Sequence, residues 1–512
     1  MATMQPLQII RTTLLLLSFS FVITGCSSYG VINNKKQSLP PKTDENSYSI
    51  KTVLEKKPQG RIAFVLSFSG GGTRAAALAY GVLLELKNTK LPNNKRNTTL
   101  LDEVDIISAV SGGSFIAAYY GLNGDSTFKD FEKVMLQKNF EDLLISEVLN
   151  PLTWFSKTGR TQLAIQLYNS TIFKDATFAD LTKPGRPLIL INASDLANGA
   201  RFSFTQEYFD YICSDINSFS VAKAVTASSA VPVVFNPVVI QNFQPCNNGA
   251  AQKLDLAEKN IKNNIGLQKA IDSLKEYVEI DYPYLQLVDG GITDNLGLRA
   301  IYESIQFSGG PNNFLHKLNK KKVKHIAVIS VDASTESSQN IKMTNKSPTM
   351  QQSIEAMSDI QIHRYNISTL QLFERSLVQW GEQLSTKDNI VEPHFIKISF
   401  DKLGSKKEID EFNLIPTRLS LTRPNMEKLI EAGRSLLKNS LEFQMLLQEL
   451  TDDPDLQKEF IEKNGLSFLE GCIVKRISRY KHKFDGEEAL KDLKKIKHEV
   501  DLLIDIHYRE RD

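Results

Sequence analysis

Three short segments of this 512-residue chain hold the residue types that break and make acyl bonds. The first is Ser69-Gly70-Gly71-Gly72-Thr73-Arg74. Consecutive glycines let backbone N–H groups point into one concavity, and a helix N-terminus adds positive potential, so the loop suits an oxyanion or a phosphate. It is not a P-loop, because no Gly-Lys-Ser/Thr follows. Gly70-x-Gly72-x-x-Ala75 matches a loose dinucleotide fingerprint, but no acidic residue stands clearly at the end of the following second strand. The second segment is Ala109-Val110-Ser111-Gly112-Gly113. A serine on a sharp strand-to-helix turn is forced outward, and its small neighbours tolerate the strained approach. The third is Leu287-Val288-Asp289-Gly290-Gly291, followed by Thr293, Asn295 and Gly297. Here a carboxylate at a strand end, flanked by glycines, is able to approach a hydroxyl closely.

Positioning these segments calls for strands that stop where the glycines begin. Residues 61–68 form an apolar run that reads as a buried strand, and residues 73–86, rich in Ala and Leu, read as the helix after it. Residues 104–110 and 115–122 repeat the unit around Ser111. Further strands are expected at 187–193, 284–288, 325–331 and 393–399, alternating with helices, which predicts an α/β domain with a largely parallel sheet. Residues 127–181, helical and aromatic, should cap the sheet. Residues 253–278 read as an amphipathic helical insertion, packed on the core or, in the sharper reading, touching a membrane. The chain beyond about residue 439 reads as a charged, helical appendage.

The N-terminus has a different character. Arg11 precedes an apolar run over residues 14–23, the length of a signal h-region and too short to span a bilayer. It ends in Ile23-Thr24-Gly25-Cys26, which resembles a bacterial lipobox with Cys26 as the lipidated first residue of the mature protein. Ser27 rather than Asp after that cysteine resembles the outer-membrane default of the sorting rule. The expected organisation is a lipoprotein signal peptide over 1–25, a flexible linker over 26–58, a hydrolase domain over 59–400 and a mostly helical region over 401–512. The expected location is the cell envelope, lipid-anchored, at the outer membrane of a Gram-negative bacterium.

Composition narrows the class. Sixty-one Lys and Arg against 59 Asp and Glu leave a net charge of +2, which argues against a nucleic-acid partner held by bulk charge. A hydrophobic fraction of 41% is ordinary for a folded chain. Four cysteines are too few for a disulfide scaffold. Cys213 and Cys246 flank one apolar segment and could pair, with Cys472 left over; three free thiols are the alternative, and spacing does not decide. The seven histidines show no close pairing with Cys or Asp, so no metal site or cofactor is expected.

Taken together, in order and context, the three segments resemble the patatin-like phospholipases, whose pattern is a glycine-rich oxyanion loop with a basic residue, then G-x-S-x-G, then D-G-G or D-G-A. The stretch Ala224-Val-Thr-Ala-Ser-Ser-Ala-Val-Pro-Val-Val-Phe235-Asn-Pro237 looks like a further block of that family, so the likeness covers roughly residues 61–331. Departures are Ala75 and Ala109, small residues where the family often has glycine. The resemblance implies a three-layer patatin-like domain and a Ser-Asp dyad acting on the ester bonds of membrane lipids. Ser111 would be the nucleophile and Asp289 the general base. Gly70, Gly71 and Gly72 would form the oxyanion hole, with Arg74 fixing the loop or meeting an anionic head group. No cofactor is implied.

Two other readings compete. One is a Ser-His-Asp triad in the order Ser111, Asp289, then His316 or His325. His325 stands at the start of an expected strand, however, whereas a triad histidine follows one. The other is a membrane-anchored lipid-binding scaffold without activity, which the presence of serine, aspartate and glycines together speaks against. Which lipid is cleaved, and the oligomeric state, are not written in the sequence.

Overall fold

The computed structural model describes residues 30–450, apart from 33, 39–46, 58–59, 61, 92–97, 150–158, 233, 262–263, 279–281, 321–322, 336–344 and 388, together with 493–494, 496–497 and 500. The signal segment and Cys26 lie outside the described residues, as does most of the chain after residue 450.

An eight-stranded mixed sheet organises the fold. In chain order its strands are β1 (Ile62–Phe68), β2 (Ile106–Val110), β3 (Leu188–Asp195), β4 (Arg201–Ser203), β5 (Val238–Gln241), β6 (Tyr284–Asp289), β7 (His325–Asp332) and β8 (Glu392–Ser399). They lie side by side as β8-β7-β1-β2-β3-β6-β5, with β4 paired to β3. The five strands from β8 to β3 are parallel, while β6, β5 and β4 are antiparallel additions. Every residue of β1, β2 and β3 is buried. That burial explains why they read as continuous apolar runs rather than as alternating patterns: helices cover a parallel sheet on both faces.

The helices that matter below are α1 (Gly72–Asn88), α2 (Gly112–Asn123), α3 (Val221–Ser228), α4 (Ala250–Asn260), α5 (Ile265–Glu276), α6 (Leu298–Phe307), α7 (Met350–Leu384), α8 (Arg423–Lys438) and α9 (Leu441–Leu450). The expected strand-turn-helix units β1-α1 and β2-α2 are present. The single insertion expected over 253–278 is two helices, α4 and α5. Asn264 caps the second, its side chain accepting from the Leu267 N–H at 3.0 Å. Among the described residues no helix is long and apolar enough to cross a membrane.

Two boundaries read from the sequence need correction. Segment 26–58 is not free linker where it is described. Tyr48 is fully buried, its hydroxyl donating to the Ile189 carbonyl at 2.9 Å and accepting from the Ile189 N–H at 2.8 Å. Lys35–Lys36 pairs antiparallel with Ser214–Asp215, and Ile50–Glu55 is a short helix. One large aromatic in a polar neighbourhood gives no periodicity, yet it fills a core site. Nor does the fold end at residue 400. Helix α8 packs along α1, and Met426, Leu429, Ala432 and Leu437 on its buried face join the main core.

The open question about thiols is resolved by the fold. Cys213 and Cys246 form a disulfide, which ties the loop after Gln206–Tyr211 to the chain leaving β5.

Candidate active site

Register explains how a serine and an aspartate 178 positions apart in sequence meet. Val110, the last residue of β2, pairs with Asn192 of β3. The next residue of β3, Ala193, pairs with Asp289, the last residue of β6. Ser111 therefore leaves β2 at the level of Asp289, two strand spacings away, or about 9.5 Å between backbones. The two side chains face each other across that gap, the Ser111 hydroxyl favouring the charged form of the Asp289 carboxylate.

Ser111 stands in a sharp turn with φ 49° and ψ −122°, a backbone conformation that L-residues seldom adopt. Its neighbours hold it there. The Ser111 N–H donates to the Ser228 hydroxyl at 2.8 Å, and that hydroxyl donates to the Asn192 carbonyl at 2.6 Å. The Ser111 carbonyl accepts from the Ser114 hydroxyl at 2.5 Å. Ser228, at the C-terminal end of α3, also takes the Gly290 N–H on its carbonyl at 3.1 Å. One residue thus locks the nucleophile turn and the aspartate turn together. Ser228 lies in the 224–237 stretch that the sequence reading singled out as a block without giving it a role.

The glycine loop lies directly against this turn. A side chain on Gly112 would come within 1.9 Å of the Gly72 carbonyl oxygen, so only glycine permits the approach. Gly72 itself has φ +60° and would carry any side chain into the Arg418 carbonyl at 2.5 Å. The three glycines are not equivalent donors. The Gly70 N–H already donates to the Asn295 carbonyl at 3.0 Å, which removes Gly70 from the expected set of oxyanion donors and makes it an anchor of the loop. The N–H groups of Gly71 and Gly72, at the start of α1, have no recorded acceptor among the described residues and stand at a helix N-terminus.

Arg74 is buried, its Nε donating to the Ala333 carbonyl at 2.8 Å and its Nη1 to the Ile415 carbonyl at 2.6 Å. Through these two bonds it braces the loop against residues 333 and 415. Burial pushes its guanidinium down to about 10. The Thr73 N–H donates to the Arg418 carbonyl at 2.9 Å, so the glycine loop leans on residues 415–418.

Burial also pushes the Asp289 carboxyl up to about 6 from its ordinary 3.8, against the opposing pull of the Gly291 N–H and the Ser111 hydroxyl. The Gly291 N–H reaches Oδ1 at 2.8 Å, leaving the carboxylate oriented towards the serine. Such a shift moves a carboxylate towards the range in which a general base works best near neutral pH. On the segments that follow Ser228 and Asp289, Val231, Val234 and Ile292 are exposed to 46%, 46% and 48%. Val231 follows the Ala230 carbonyl that accepts the Asp289 N–H at 3.0 Å.

The triad histidines are elsewhere. His325 is the first residue of β7, at the sheet edge opposite to Ser111, and His316 lies on the helix Pro311–Lys317. Among the described residues no histidine is bonded to Ser111 or Asp289.

A parallel-stranded α/β fold with a serine turn, a strand-end aspartate and a glycine loop at one edge defines a hydrolase of the nucleophile-elbow type. Residues 66–302 match the family described as patatin-like phospholipase. No curated protein matches the sequence significantly. Among solved structures, human GIVD cytosolic phospholipase A2 is similar with a TM-score of 0.37 and 12% identity, over 83% of this chain and 66% of that one. VipD from Legionella pneumophila is similar with a TM-score of 0.26 and 12% identity, over 96% and 86%.

Proposed function

We propose that this protein is a serine lipid acyl hydrolase working through a Ser111-Asp289 dyad. The observation that carries the reading is the strand register that sets the Ser111 turn level with Asp289, a carboxylate pushed up to about 6 by burial. A carboxylate that reaches the hydroxyl itself needs no intervening imidazole. Ser111 Oγ attacks the ester carbonyl carbon while its proton passes to Asp289. The carbonyl oxygen, now negative, is held by the Gly71 and Gly72 N–H groups. Collapse returns the proton to the departing alcohol oxygen and leaves an acyl-serine. Asp289 then takes a proton from water, whose oxygen attacks the acyl carbon and releases the free acid and Ser111.

Lipid as the substrate class fits the exposed Val231, Val234 and Ile292 beside the dyad and the family of residues 66–302. Anchoring through a lipidated Cys26 would hold the enzyme at its substrate, in the envelope of a Gram-negative cell. Replacing Cys26 by Ser should abolish radiolabelled-lipid incorporation, and membrane fractionation unchanged by that substitution would remove the anchor from the proposal.

The decisive test treats the purified protein with a fluorophosphonate probe and incubates a membrane lipid extract with it, read by mass spectrometry. The probe should label Ser111, and free fatty acid should appear with the wild type and not with Ser111→Ala. Labelling that persists in Ser111→Ala, or fatty acid release equal to wild type, refutes the nucleophile assignment.

A further inference from the structure

At the sheet edge opposite the dyad, four metal-binding side chains converge. Strands β7 and β8 are parallel and in register, with Glu392 beside His325. His394, two residues on, falls on the same face as Glu392 because side chains alternate along a strand. Helix α9 then brings Glu449 over the same spot. His325 Nδ1 and His394 Nε2 are 3.4 Å apart, His394 Nε2 and Glu449 Oε2 are 3.2 Å apart, and His325 Nδ1 and Glu449 Oε2 are 3.6 Å apart. One ligand atom from each of the four residues lies within 4.8 Å of every other.

We propose that His325, Glu392, His394 and Glu449 form a zinc-type divalent transition-metal site that fastens α9 to the lower edge of the sheet. The spacing is the first reason. Donors arranged tetrahedrally at about 2.0–2.1 Å from an ion stand about 3.3–3.4 Å apart, and the three measured edges scatter around that value. Chemistry is the second. Two imidazoles with two carboxylates suit zinc and its first-row neighbours, whereas calcium and magnesium take all-oxygen sets.

The third reason is what the cluster lacks. Glu449 Oε2 is buried without a hydrogen-bond partner although two imidazole nitrogens face it. A ring of lone pairs around one point calls for a cation at its centre.

Four protein ligands leave no open position, so the ion would be structural rather than catalytic. It would join residues 325, 392–394 and 449, which are too far apart in sequence to form a ligand-spacing motif. The sequence reading, which found no metal site, had nothing to find it by.

The test uses the full chain stripped with chelator, dialysed, and titrated with ZnCl2 or CoCl2 alone. One equivalent of Zn2+ should bind and raise the melting temperature, and Co2+ should show the intense visible bands of tetrahedral coordination. Glu449→Gln and His394→Gln should each weaken Zn2+ binding more than the roughly 10–100-fold typical of losing a mere outer partner. Circular dichroism identifies any variant that fails to fold; if His394→Gln does, Glu449→Gln, on the partly exposed helix, decides alone. Three results overturn the proposal: a melt unmoved by Zn2+, weak six-coordinate Co2+ bands, or Zn2+ affinity equal to wild type in the folded variants. The first means that the four groups share protons only, and the third that the ion sits elsewhere.

Discussion

The two ends of the parallel sheet handle polarity in opposite ways. At the end where β1 and β2 finish, backbone N–H groups of Gly71 and Gly72 are left open and a carboxylate is buried facing a hydroxyl. At the end where the strands begin, charges are neutralised within the fold. Lys320 Nζ meets Asp105 Oδ2 at 2.6 Å with both side chains 3% exposed, the same oxygen accepts the Phe64 N–H at 2.9 Å, and the His-Glu cluster closes the neighbouring edge. Polar groups cost least when satisfied internally. At the dyad end the open groups are N–H donors, which the proposed reaction would turn on an oxyanion; at the other end the open group is the Glu449 oxygen of the His-Glu cluster.

That contrast breaks most sharply at Asp289. Asp289→Asn should lower ester hydrolysis by about a thousandfold or more, roughly 4 kcal/mol of barrier. A double variant with Ser111→Ala should be little worse, because groups acting as one unit are non-additive. The same substitution should raise the melting temperature at neutral pH. The carboxyl sits near 6 in the fold against 3.8 unfolded. Its protonated form is thus favoured by folding, and that stabilisation is present below about pH 4 and lost as pH rises through about 6. Removing the charge above pH 6 removes the penalty. A melt that falls instead would mean that the carboxylate is a structural support like Asp105.

The next largest effect belongs to the glycine loop. Gly72→Ala, with a side chain directed at the Arg418 carbonyl 2.5 Å away, should displace an oxyanion donor and cost about 10²–10³ in kcat, the usual effect of losing one such donor. Ordinary turnover in that variant would remove Gly72 from the oxyanion hole. Ser228→Ala leaves the Ser111 N–H without its acceptor, a loss of about 1–3 kcal/mol for a buried group. It should lower kcat about tenfold while fluorophosphonate labelling slows in parallel; unchanged labelling would reduce Ser228 to packing.

The pH profile sharpens the picture without a mutation. With Asp289 as the base, kcat/KM should climb through about pH 6 and then level. The smallest effect is expected at the opposite end of the molecule. His316→Gln should change hydrolysis less than about tenfold, under roughly 1.4 kcal/mol of barrier. A fall of a thousandfold with an unchanged melt would revive the triad.

The legible part of the molecule was its parallel half. Strands β1, β2, β3 and β7 are buried on both faces and announce themselves as apolar runs ended by Ser, Gly or Asp, so Ser111 and the glycine loop were visible together with the elements that carry them; β6, antiparallel but six residues long, was legible too and showed Asp289 at its end. The antiparallel strands were harder. β4 is three residues long and β5 four, too short for a period to show. Differences between like residues were also invisible: Gly70, Gly71 and Gly72 are identical in sequence, and only the path of the Asn295 carbonyl distinguishes anchor from donors. Contacts between distant segments left the faintest trace, which is why Tyr48, Ser228 and the residues beyond 400 were misplaced or given no role.

The bracing of the glycine loop by residues 415–418 has a consequence for how the protein can be divided. The stretch recognisable as a family member stops at residue 302, but the carbonyls that receive Arg74 and the Thr73 N–H belong to Ile415 and Arg418. The hydrolase is therefore not a module that can be excised at the edge of its signature and joined to another protein. A truncated chain keeping Ser111 and Asp289 but ending before Ile415 would retain the proposed nucleophile and lose the carbonyls that brace the glycine loop. The stretch that carries the family signature is shorter than the stretch that holds the glycine loop in place.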